Sequence, residues 1–491
     1  MSSDTAQLEI AETTGELAGQ GRPALPAARG EPPVRRTPRG TARAWIARLR
    51  ADPARMAAVR DSWRMLWCSR LLVWCAGVGT IVAFGYGPVR KAFNPPGVTS
   101  GFGWLGNLLA APAARWDSDW YLVIARAGYQ LHAGSGTLAR AAYYPLYPLG
   151  LRAISWLGAP PVLAGVLLST CAFALALYGI HRLTTLELAG RGRRALAGAS
   201  PSRAARLAVA AMAFAPMALF FSAVYSESLY LALSVGLFWS ARQGRWRWVG
   251  LLGALAGATR NTGLVLLAPA LLIYLYGPRE DREPDRPLDG AAAGWRRRLR
   301  PRYRVRRDAL WLALVPAGAL LYGLYLGLAG GDPLAPLHAE EVWGRHLTGP
   351  AVGVWDGLRA AFDGARQLLS GQRHHVYFTA GEGSPLVSAG HNLLDLAFLV
   401  AFVPAIVGVL RRLPLAYGVY ALAAACLPLS DPVGAQPLMS LPRFLVPLFP
   451  LAIWLGAWLA ERPRLVRPTL ALSGALMALF VAQFATWHWV A

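Results

Sequence analysis

The chain is predicted to fold as an all-α, polytopic transmembrane helical bundle, and three observations carry that prediction. It is 55% hydrophobic and only 15% charged, whereas a soluble domain carries about 25% charged residues. Its apolar residues gather into stretches of about 18 to 22, long enough to cross a hydrocarbon layer of roughly 30 Å as helices. Its basic residues collect in alternate connecting loops, the pattern by which short loops set the orientation of a membrane protein.

Residues 1–64 are rich in Pro, Gly, Ala and Arg and lack the apolar core of a cleavable signal peptide. They read as a disordered basic cytoplasmic tail, followed by a membrane domain over 65–491. Spans are expected at 65–86, 160–180, 205–223 and 228–241, then a block at 247–276, then 308–329, 391–410, 414–429, 444–460 and 468–487. The block is flanked by Arg242–Arg247 and by an Arg-rich run from Arg279. Both flanks belong inside, so the block must turn back. Each half has about 13 residues, or roughly 20 Å of helix. The turn falls at Thr259, Arg260, Asn261 and Gly263, and such a break is tolerated only where it is buried in protein or lines a cavity. About eleven passes result, or nine spans and a re-entrant hairpin, with the C-terminus outside.

With the N-terminus inside, the inner segments and Arg70 hold 37 of the 49 basic residues but 15 of the 26 acidic ones. The net charge of +23 therefore reports orientation and not nucleic-acid binding. Two outer loops are long, 87–159 and 330–390. In the second, Val354, Leu358, Phe362 and Leu369 alternate with Asp356, Arg359, Asp363 and Arg366, as in an amphipathic helix lying on a membrane face. Cys68, Cys75, Cys171 and Cys426 fall in apolar stretches, where a thiol acts as a small hydrophobe. No zinc spacing surrounds His374-His375, and no cofactor or divalent metal is implied. No Gly-rich phosphate loop is present, which favours a lipid-linked over a nucleotide-linked sugar donor.

The densest constellation is Arg115-Trp116-Asp117-Ser118-Asp119-Trp120-Tyr121, in the first outer loop. Aromatic faces stack on sugar rings, and either carboxylate can take a proton from an acceptor hydroxyl. An interfacial aromatic belt with Asp helix caps would look the same. Tyr144 and Tyr147 close that loop as substrate contacts or as an interfacial turn. Glu227 sits at the outer junction of two spans, where an ionisable residue is a functional candidate. Arg260 with Asn261, and Arg443 at the start of a span, suit a lipid phosphate, which guanidinium matches bidentately; a snorkelling Arg443 is the plainer alternative.

Together these motifs resemble the mannosyltransferase family that includes the second mannosyltransferase of GPI-anchor synthesis, within the GT-C superfamily. The resemblance rests on Arg115 to Tyr121 with Gly128-Tyr129, Tyr144-Pro145-Leu146-Tyr147-Pro148, Tyr225-Ser226-Glu227-Ser228, Thr259-Arg260-Asn261-Thr262-Gly263, and Pro442-Arg443-Phe444. Gly331-Asp332-Pro333-Leu334 through Trp343-Gly344-Arg345 also looks like the family, which would place an amide at Glu340 or Glu341. The resemblance implies inverting transfer of mannose from polyprenyl-phosphate-mannose to a lipid or glycan acceptor, outside the cell membrane. Asp117 is then the base or acceptor-orienting carboxylate, with Asp119 as runner-up, and Arg260 and Arg443 are the phosphate clamp. Trp343 and Arg345 join the substrate contacts. A transporter or flippase of lipid-linked sugars would also want midplane charges and a broken hairpin, but no internal repeat is found.

Overall fold

The computed structural model describes residues 52–87, 103–110, 112–131, 138–189, 200–286, 300–377 and 384–490. The expected tail up to residue 51 lies outside them, as do parts of both long loops. The described residues are helical and contain no strand; one isolated bridge joins Arg345 to Val433. The helices of ten or more residues are α1 Pro53–Phe84, α2 Ser118–Ala127, α3 Leu146–Trp156, α4 Pro161–Ala189, α5 Pro201–Ala213, α6 Glu227–Arg242 and α7 Trp246–Gly257. They continue as α8 Leu267–Tyr276, α9 Ala317–Gly330, α10 Pro350–Ser370, α11 Pro385–Arg412, α12 Leu415–Leu429, α13 Phe449–Ala460 and α14 Pro463–Ala485. Proline opens α5, α10, α11 and α14, where its missing N–H costs nothing.

Four helices, α1, α4, α11 and α14, are long and apolar enough to cross a membrane, and a fifth span results if Arg307–Leu314 and α9, bent by 44°, are counted as one. The other expected spans are shorter. The 205–223 stretch ends its helix at Ala213 and resumes as a 3-10 turn at Ala218–Phe221. Carbonyls freed by that break accept from Arg70, which is buried in α1 and reaches Ala218 O at 2.9 Å and Ser222 Oγ at 2.7 Å. Arg70 is thus buried between helices of the bundle. Helix α1 starts at Pro53, inside the stretch expected to be tail, because its helix-forming run extends beyond the apolar residues.

The 247–276 block is a hairpin. The Trp246 and Tyr274 rings at its two ends lie 4.6 Å apart, while a 3-10 turn at Asn261–Leu266 packs back on the end of α7. A Cβ on Gly263 would come within 2.3 Å of Ala256 C, so only glycine permits that approach. Gly250 and Gly253 open a second face of α7 to Trp311 and Val315, the close backbone packing by which small residues join helices in membranes.

The amphipathic α10 forms as expected, with a division that the sequence pattern did not show. Its buried face is Gly353, Gly357, Ala361, Gly364 and Gln367, packed on α11 and on Leu429 and Leu438. Trp355, Phe362 and Leu369 are exposed.

Candidate active site

Three distant segments meet at one end of α6. Asp117 precedes α2 and follows Trp116, whose φ of +56° is uncommon for a bulky residue and marks a constrained turn. That turn is held from both sides. Trp116 Nε1 donates to His488 O at 3.2 Å, Arg115 Nε donates to Ala485 O at 3.1 Å, and Tyr225 Oη donates to Arg115 O at 2.9 Å. Arg115 also lies 4.8 Å from the centre of the Trp487 ring. Arg115 and Trp116 therefore pin the C-terminal segment while the turn delivers Asp117. Arg443 is delivered likewise, from the short helix Leu441–Leu445 that follows Ser440 at φ +68°.

Arg443 Nη1 lies 2.5 Å from Asp117 Oδ2, and its Nε donates to Glu227 Oε1 at 2.7 Å. Arg260, at the tip of the hairpin, reaches the same Oε1 at 2.7 Å. Glu227 is fully buried at the first position of α6. Two carboxylates and two guanidiniums thus form one chain of formal charge zero, and the pairing offsets the cost of burying them. The rings of Tyr225 and Phe220 cover Arg443 at 4.7 and 5.3 Å, and Phe444 covers Arg260 at 5.4 Å.

A cavity of about 320 Å³ opens on this chain. Of the residues singled out in the sequence, Asp117, Tyr121, Tyr144, Arg260, Asn261, Trp343, Arg345 and Arg443 line it. The others stand elsewhere. Glu227 lies behind the two arginines as their shared counter-ion. Tyr147 is a core residue, with its hydroxyl 2.8 Å from Ser169 Oγ. Trp120 stacks on Tyr143 at 5.8 Å and meets Trp343 edge-on, backing the aromatic wall. Asp119 is 8% exposed and does not line the cavity; burial pushes its carboxyl up to about 7, against the pull of Arg115.

Arg345 is spent on structure: it donates to Asp431 O and Met439 O at 3.0 and 3.2 Å and sits 3.4 Å from Glu340 Oε2. Glu340, one of the two positions at which an amide was expected, is thus the ion-pair partner of Arg345. Tyr143, which opens the aromatic run closing the first outer loop, also lines the cavity. Sequence reasoning passed over Tyr230, Asp431 and Trp489, which line it too; Trp489, beyond the last apolar run, carried no signal. Among the described residues no three of His, Cys, Asp and Glu gather as metal ligands.

A comparison with curated proteins finds no match. Residues 88–275, under half of the chain, match the family model described as mannosyltransferase (PIG-V). The matched stretch carries Asp117, Glu227 and Arg260, while Trp343, Arg345 and Arg443 lie beyond it. Over that stretch the chain is similar to that mannosyltransferase family, and with the apolar helices the match supports a membrane mannosyltransferase.

Proposed function

We propose that the protein transfers mannose from polyprenyl-phosphate-mannose to a lipid or glycan acceptor on the extracytoplasmic face of the cell membrane, inverting the anomeric centre. The observation that carries this reading is a single cavity wall on which Asp117 and two guanidiniums stand together. An attacking hydroxyl needs a base, and a departing phosphate needs cations where its charge grows. Asp117 is the base; Arg443 and Arg260 receive the phosphate. Trp343 and Tyr144 offer the aromatic faces on which a sugar ring stacks.

Orientation follows from the charge division, with eleven passes, or nine spans and the hairpin, bringing the tip that holds Arg260 to the outer side. The exposed Trp355, Phe362 and Leu369 of α10 then rest on the membrane surface. A cysteine at position 285 should resist an impermeant reagent in intact cells, and one at position 372 should react; the reverse result sinks the orientation. The function is tested with purified protein in lipid, radiolabelled polyprenyl-phosphate-mannose and a lipid extract. Labelled product is expected. Movement of the donor across the bilayer without transfer would instead favour a transporter.

A further inference from the structure

Resting on that reading, we infer that Asp117 and the donor's phosphate compete for the same seat on Arg443, so that donor binding is what releases Asp117 to act as a base. Arg443 is 5% exposed, and its donors are divided. Nε is committed to Glu227, which has no access to the cavity, and the ring faces of Tyr225, Phe220 and Phe444 flank the guanidinium. Nη1 is held by Asp117 at 2.5 Å. Nη2 makes no hydrogen bond among the described residues, so a phosphodiester that takes Nη1 and Nη2 together, the bidentate mode of a guanidinium, has to displace Asp117 from Nη1.

Charge makes the two anions exclusive. The four-residue chain is neutral, so a phosphodiester added beside a seated Asp117 places two like charges in a site of low dielectric. Displacing the carboxylate relieves this and turns Asp117 toward the acceptor. Glu227 holds the guanidinium through the exchange: both arginines use its Oε1, and Oε2 has no partner among the described residues. The transfer step then balances. The acceptor oxygen bonds to the anomeric carbon, its proton passes to Asp117, and the bond from that carbon to the phosphate oxygen breaks with its electron pair on the phosphate. One negative charge leaves Asp117 and one appears on the polyprenyl phosphate, facing Arg443 and Arg260.

The experiment is equilibrium binding of polyprenyl-phosphate-mannose to full-length wild type and Asp117→Asn in lipid nanodiscs, with turnover measured on the same samples. Removing the internal competitor should tighten donor binding about tenfold while turnover is lost. Glu283→Gln, an exposed carboxylate in the segment that follows α8, should leave binding unchanged. Asp117→Ser provides the same test if the Asn variant does not elute as folded protein. Unchanged or weaker donor binding by the neutral variants overturns the exchange. Wild type that neither binds nor uses the donor overturns the proposed function itself, a separate outcome.

Discussion

Helix α6 carries Glu227 at its first position and Arg242 at its last, 16 residues in all and about 24 Å in length, and each end is tied into a buried ion cluster. At the Arg242 end the partners are Glu187, which also accepts from Tyr417 Oη at 2.9 Å, and Glu280 at 3.2 Å. Arg279 is gripped there by both oxygens of Asp281 and lies over Trp246 at 4.7 Å. None of these residues lines the cavity. At the Glu227 end the same pairing chemistry recurs, but Arg443, Arg260 and Asp117 form a cavity wall. A buried ion pair in a membrane bundle is therefore not itself a mark of function. What separates the two ends is that one network closes on loops and helix ends, while the other keeps an edge toward space that a substrate can enter.

The sharpest way to break that comparison is to neutralise one carboxylate at each end. Asp117→Asn should keep the fold and lower turnover by about 10²- to 10⁴-fold, the usual contribution of a general base. Glu187→Gln should leave transfer per folded molecule unchanged and lower stability by about 3 kcal/mol, because it leaves the buried Arg242 with only the half-exposed Glu280 as counter-ion. Transfer assays normalised to folded protein, with thermal unfolding in detergent, check both. A wild-type-like Asp117→Asn would move the base to another carboxylate. A smaller effect is expected one step along the chain. Arg260→Gln should reduce kcat/KM for the donor by about 10- to 100-fold, whereas Arg373→Gln, in the exposed end of the loop after α10, should change nothing. A fall confined to KM means ground-state binding of the phosphate; a fall in kcat at saturating donor means that the charge of the leaving phosphate is stabilised.

The sequence made the apolar runs, the hairpin with Arg260 at its tip and the cavity positions of Asp117 and Arg443 legible, because each rests on local pattern or on charge. It did not reveal where apolar runs break. The carbonyls left open between Ala213 and Ala218 are satisfied by Arg70, about 150 positions away, and no window of hydropathy registers such a partner. The roles of Glu227 and Tyr147 were hidden for the same reason. Both belong to motifs that read as substrate contacts, yet one is the counter-ion behind the wall and the other a core hydroxyl bonded to Ser169. Arg115 and Trp116 looked like part of a sugar site, and what they hold is a C-terminal segment some 370 positions on.

The smallest predicted effect separates the two aspartates of the densest motif. Asp117 faces the cavity with Arg443 as its partner, while Asp119 is buried with Oδ1 unpartnered among the described residues. Burial pushes the Asp119 carboxyl up to about 7, with Arg115 opposing and Asp117 adding to the rise. In the unfolded chain the same group titrates near about 4. Between those values the folded protein keeps a proton that the unfolded chain has released. The contribution to stability is therefore complete below about pH 4 and is lost as pH rises through about 7. Asp119→Asn stays neutral throughout and escapes that loss. Its melting temperature should match wild type near pH 4 and exceed it by a few degrees (about 2–4 °C) at pH 8, with turnover reduced less than in Asp117→Asn. Thermal unfolding in detergent from pH 4 to 8 decides it: parallel curves for the two proteins would mean that Asp119 is ionised across the range, and would return it to contention as the base.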